Sequence, residues 1–142
     1  NNPGTITSEC KRIIAYISSN TAGCRYCQAH AIRAAERYGG KKERLMQAWD
    51  FENSALFSSS EKIALRFTVA ASSVPVSVSR ELEQSLQDSW DEADILEIMS
   101  VIALFGFLNR WNDVMGTSLE EDAKHSAESL LSSQWEIGKH LT

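Results

Sequence analysis

The chain has 142 residues, 43% of them hydrophobic, with 14 Lys plus Arg against 19 Asp plus Glu and a formal charge of −5. That length fits a single domain able to bury a core without a metal or disulfide staple, and the acidic balance is opposite to the footprint of a nucleic-acid-binding surface. No apolar run approaches the roughly 20 residues that span a bilayer and no signal-peptide pattern is present, so the expectation is a soluble, cytoplasmic protein with neither nucleic acid nor membrane as a partner.

β-branched residues do not gather into alternating runs apart from Ser73–Val78, too short and isolated to build a sheet, so the chain reads as all-α. Periodicity and end signals predict about seven helices. The first covers about 8–19. The second covers about 22–38 and stops at Gly39-Gly40, because glycine takes the left-handed cap conformation without a Cβ penalty. A third covers about 41–49. Ser58 and Glu61 stand at capping-box spacing and open a fourth, to about 72, after which Pro75 breaks the chain. A fifth covers about 80–88. The sixth, about 91–115, starts with Asp91, Glu92 and Asp94 at its positive end and is then apolar on every face from Ile95 to Leu108. Such a helix is expected to be central and buried, with the others around it, and Gly106 within it predicts a close approach by a neighbouring helix or subunit. Ser118 and Glu121 again have capping-box spacing and open a seventh, to about His140, with Lys139 and His140 in its last turn.

Helix two carries the chemistry. Taking Cys27 as zero at about 100° per residue, Cys24 lies near +60° and His30 near −60°, on one stripe with Ala31, Ala34 and Tyr38. Cys24 and Cys27 are one turn apart, and His30 is one turn beyond Cys27. The reactive form of cysteine is the thiolate, and Cys-X-X-Cys spacing, a helix N-terminus and a nearby imidazole each lower a thiol's pKa. A thiolate attacks the terminal oxygen of a hydroperoxide, becomes a sulfenic acid, and condenses with the neighbouring thiol to a disulfide. His30 as base favours Cys27 as the attacking thiol, whereas helix position favours Cys24. Two other readings stand beside this one. Cysteine is among the most buried residue types, so an Ala-rich stripe with two cysteines also suits a packed core. A zinc site of Cys24, Cys27 and His30 would have to bridge about 9 Å along the axis, with no second Cys or His pair for a fourth ligand.

The stretch Gly23-Cys24-Arg25-Tyr26-Cys27-Gln28-Ala29-His30, followed far downstream by Ala103-Leu104-Phe105-Gly106-Phe107-Leu108-Asn109-Arg110-Trp111-Asn112-Asp113, resembles the carboxymuconolactone decarboxylase-like family, in the branch similar to the alkylhydroperoxidase AhpD. The resemblance covers nearly the whole chain. It implies an AhpD-like helical fold, assembly as homo-oligomers, relatives with an extra N-terminal helical segment that this chain is expected to lack, and thiol peroxidase activity with Cys27 peroxidatic and Cys24 resolving. The chain departs from that branch in three places. One residue fewer separates Cys27 from His30; Arg12 stands where the branch has a proton-relay glutamate, with Glu9 one turn away; and Arg33 stands where relatives carry another histidine.

Asn109, Asn112 and Asp113 continue one face of helix six and are candidates to brace the redox helix or relay protons. Cys10 is expected to be a bystander, His125 and His140 to be solvated, and Trp49, Trp90, Trp111 and Trp135 to be core or interface anchors. The expected activity is therefore reduction of hydrogen peroxide or an organic hydroperoxide without metal, flavin or haem, the disulfide being reduced afterwards by a dithiol donor. The alternatives are a lactone decarboxylase or isomerase, a reaction type that does not depend on a cysteine pair, and a non-enzymatic oligomeric helical module.

Overall fold

The computed structural model describes residues 6–141, which form seven α-helices with no strand among the described residues. Helix α1 spans Ser8–Ala22; the Thr7 hydroxyl accepts the Cys10 N–H at 3.0 Å to start it, and Gly23, at a φ of +84°, ends it. Helix α2 spans Arg25–Arg37 and α3 Lys42–Met46, shorter than its pattern predicts, followed by a 3-10 turn at Phe51–Asn53. Helix α4, Ser59–Ser72, opens with the predicted capping box, in which Ser58 and Glu61 satisfy each other's backbone N–H groups. Helix α5 spans Arg80–Ser89, α6 Glu92–Met115 and α7 Glu121–Leu130. No helix is long and apolar enough to cross a membrane among the described residues.

The centre of the molecule is α1, not α6. Cys10 and every residue from Ile13 to Ser19 are buried, and α1 packs against α2, α4 and α6. Helix α6 buries only a stripe of Asp94, Ile98, Ile102 and Asn109, while Leu96, Leu104, Phe107, Trp111, Val114 and Met115 stand exposed. Its all-round apolarity therefore reflects one face against α1 and another face that the chain itself leaves uncovered. Among the described residues Gly106 meets no atom within 4 Å of where a Cβ would stand, so no neighbouring helix among them makes the predicted close approach.

The C-terminal part also departs from the pattern. Ser118 caps nothing: the Leu119 N–H donates to the His140 carbonyl at 3.0 Å, which pins this stretch beside the chain's end, and α7 begins only after Glu120. After α7 the backbone passes a 3-10 turn at Ser132–Gln134 and runs back irregularly over the start of α2, where the Trp135 indole N–H donates to the Arg25 carbonyl at 2.9 Å. His140 is thereby fully buried rather than solvated, whereas His125 is exposed as expected. Elsewhere, Arg44 ties three elements together, bonding Glu9 of α1 at 2.8 Å, Glu61 of α4 and the Leu56 carbonyl, with its guanidinium over the Phe57 ring.

Candidate active site

The left-handed Gly23 separates α1 from α2 and lets Cys24 adopt an extended backbone, with φ −84° and ψ 103°. Cys24 is thus the N-cap of α2 and not, as a continuous helix would have it, a member of its stripe. Its sulfur accepts the Cys27 backbone N–H at 3.3 Å, the job an oxygen does at most N-caps. Hydrogen bonding from the Cys27 thiol, against the opposing effect of burial, holds the Cys24 thiol below its ordinary pKa. The same bond, together with burial and the Cys24 charge, pushes the Cys27 thiol up. Of the two thiols, Cys24 is thus the more readily deprotonated. Both residues are buried.

Helix α6 supplies the wall opposite. Asn112 Nδ2 points at the Cys27 sulfur, 3.8 Å away, and also donates to the Leu108 carbonyl at 3.0 Å, while its Oδ1 accepts the Thr117 hydroxyl at 2.7 Å. Those contacts fix which end of the amide faces the sulfur. One residue on, a carboxylate oxygen of Asp113, the Cys24 sulfur and a ring nitrogen of His140 lie within 4.8 Å of one another. The Asp113 carboxylate also has Lys139 Nζ at 3.6 Å. Three donor atoms are one short of a closed tetrahedral metal site. Asn109 is buried with both amide atoms unpartnered, and together with Arg110 and Asp113 it lines a groove of about 480 Å³ between α1, the end of α4 and α6.

The remaining candidates fall elsewhere. His30 Nε2 is 2.5 Å from Glu120 Oε2, and the His30 ring lies 4.6 Å from that of Tyr26, whose hydroxyl also reaches Glu120. No hydrogen bond among the described residues joins His30 to either sulfur. It borders a second cavity, of about 270 Å³, with Arg12, Ala31 and Phe105. Glu9 is taken by Arg44, Arg12 lies over the Tyr38 ring at 4.1 Å, and Arg33 pairs with Asp122 at 2.8 Å. Cys10 is buried in the core, where burial and the neighbouring Glu61 push its thiol up to about 12. Sequence reasoning missed Glu120, Thr117 and His140. Each reaches the pair's neighbourhood only through tertiary packing, and none belongs to a motif that could have marked it.

No known family profile matches the chain. The debrominase Bmp8 superimposes with a TM-score of 0.84 at 34% identity over 88% of this chain and 67% of its own. The chain belongs to the carboxymuconolactone decarboxylase/AhpD-like family. A second Bmp8 structure, a cysteine-to-alanine variant in complex with 2,3,4-tribromopyrrole, matches equally well. A protein of unknown function from Agrobacterium tumefaciens, carried as a candidate antioxidant defence protein AhpD, shares this family's fold at a TM-score of 0.75 and 14% identity, over 82% of this chain and 80% of its own. Among curated proteins, the uncharacterized YnjA of Escherichia coli K12 is 31% identical over 93 residues, 65% of this chain and 50% of YnjA. The chain thus spans about half the length of that relative. In this family the fold is an enzyme scaffold, as Bmp8 illustrates.

Proposed function

We propose that the chain is the core of a thiol peroxidase in which Cys24 and Cys27 supply two electrons to a hydroperoxide. The observation that carries this reading is the Cys27 backbone N–H donating to the Cys24 sulfur at 3.3 Å, which seats the two buried cysteines together at the start of one helix. The Cys27 sulfur attacks the terminal oxygen, its proton passing to the Cys24 thiolate, and the O–O bond breaks to give a Cys27 sulfenic acid and an alkoxide. The alkoxide takes up one proton and leaves as the alcohol. Cys24, again as thiolate, then attacks the Cys27 sulfur and expels hydroxide, which is protonated to water. The alkoxide's proton is the one Cys24 received from Cys27 and the hydroxide's comes from solvent, so a thiol, a thiolate, one hydroperoxide and one proton give a disulfide, an alcohol and a water. In this scheme Asn112 steadies the Cys27 sulfur, and His30, one turn along α2 and paired with Glu120, exchanges protons with solvent. A pair that must be reduced again by a dithiol donor suits the cytoplasm, where thiols are kept reduced.

The likeness to Bmp8 favours a second substrate class for the same electrons. A thiolate attacks the halogen of a halogenated aromatic, the carbon takes a proton, and the second cysteine displaces halide to close the disulfide. The two readings are separated by supplying the reduced protein and a dithiol with either cumene hydroperoxide or a brominated pyrrole and following substrate loss. If neither substrate converts the Cys24–Cys27 peptide to a disulfide by mass spectrometry, both readings fail.

The exposed face of α6 supports assembly. Leu96, Leu104, Phe107, Trp111, Val114 and Met115 present apolar surface of the kind that marks an interaction site, and the partner we assign to it is a second copy of this chain.

A further inference from the structure

The peroxidase scheme needs Cys24 to rest as a thiolate, and the base that sequence reasoning offers, His30, is engaged with Glu120. A different imidazole stands at Cys24. His140 is wholly buried, and its Nδ1 lies 2.8 Å from the Thr117 carbonyl. A carbonyl can only accept, so Nδ1 carries the hydrogen and the lone pair of neutral His140 is on Nε2. Nε2 is a buried atom without any hydrogen-bond partner, 3.7 Å from Asp113 Oδ1. An orphaned acceptor of this kind calls for a proton or a ligand. A proton source stands close by in the Cys24 thiol, since the His140 ring, the Cys24 sulfur and the Asp113 carboxylate converge within 4.8 Å.

We propose that His140 is the proton acceptor of Cys24: Nε2 takes the thiol proton, giving a buried thiolate–imidazolium pair flanked by the Asp113 carboxylate. No net charge is created, because one proton moves from sulfur to nitrogen. The sulfur left behind accepts the Cys27 backbone N–H at the start of α2, as an anion should. The Thr117 carbonyl on Nδ1 holds the ring from its far side, the part a carboxylate plays in many Cys–His and Ser–His pairs, while the Asp113 carboxylate lies on the Nε2 side and favours the imidazolium's charge. The other groups facing the pair are Tyr26 of α2, whose ring lies 5.8 Å from that of His140, and Lys139, which pairs with Asp113. Position is fixed from two sides, by the Thr117 contact and by the Leu119 N–H on the His140 carbonyl.

This role rests on Cys24 belonging to the reactive pair, and its test needs no substrate, so it can fail or stand apart from the peroxidase reading. His140→Asn keeps an amide N–H for the Thr117 carbonyl and removes Nε2. The thiolate absorbance of the reduced protein is titrated for the parent and this variant, with Cys24→Ser as the blank. At mildly acidic pH the variant should hold at least about tenfold less Cys24 thiolate, a midpoint shift of roughly one unit or more. Superimposable titrations would overturn the proposal. A second measurement does not depend on that variant folding: nuclear magnetic resonance of the His140 ring should show imidazolium in the reduced parent near neutral pH and neutral imidazole in Cys24→Ser. The same ring state in both proteins would overturn it, as would stoichiometric zinc in the purified parent that His140→Asn lacks, since His140 would then be a metal ligand.

Discussion

Replacing Cys24 by alanine and by serine separates its work as a helix cap from its work as a redox group. In the alanine variant the Cys27 N–H, which donates to the Cys24 sulfur at 3.3 Å, loses its acceptor at the start of α2. A lost N-cap costs about 1 kcal/mol, and removing a buried sulfur atom costs roughly another 1 kcal/mol in transfer and cavity terms. The expected loss is therefore about 2 kcal/mol, or a fall in Tm of roughly 6 °C for a domain of this size. Serine restores an acceptor at the cap and should recover about half of that difference. The assay is denaturant unfolding of the reduced proteins followed by helical circular dichroism. Serine and alanine variants unfolding at the same denaturant concentration would refute the capping role. In activity the two variants should agree: with no second sulfur, either consumes at most about one equivalent of hydroperoxide and leaves Cys27 as a sulfenic acid trapped by dimedone. Sustained turnover by Cys24→Ser would refute the paired mechanism.

Arg44→Met leaves Glu9 and Glu61, each largely buried, without their shared cation, and should cost about 2–3 kcal/mol at neutral pH after allowing for partial exposure. Burial pushes the Glu61 carboxyl up but Arg44 and the Ser58 N–H pull it further down, so the parent's advantage is present above the ordinary carboxylate pKa and is lost as pH falls below it; urea midpoints across that range would show the gap closing. Asn112→Leu removes the donor facing the Cys27 sulfur and should slow the first, oxidative half-reaction while leaving the disulfide's reduction by a dithiol unchanged, read by stopped-flow Trp fluorescence. Phe107→Glu together with Trp111→Glu should shift the protein from oligomer to monomer in sedimentation velocity with helicity retained, whereas an unchanged sedimentation coefficient would mean that another face assembles. Trp135→Ala should cost about 3–5 kcal/mol, measured by thermal unfolding, because a buried indole and its bond to the Arg25 carbonyl go together.

By itself the sequence determined the all-α class, six of the seven helix positions to within a few residues, the Ser58–Glu61 cap and the family, because helical periodicity, glycine stops and capping spacings are local physics written in neighbouring residues. It also picked out Cys24, Cys27, Asn112 and Asp113, which the fold does bring together across α2 and α6. Helical spacing fixes only the direction of His30, and a glutamate from the head of α7 decides where that ring is held. Helix α6 read as central because apolarity all round an isolated helix does not say whether its second neighbour belongs to the same chain. His140 had no local signal at all: what buries it is the return of the last residues over the start of α2, anchored by Trp135 and by Leu119. Long-range packing of that kind depends on which surfaces find each other in three dimensions. It is why the thiols could be read from the chain while the imidazole beside Cys24 could be found only in the fold.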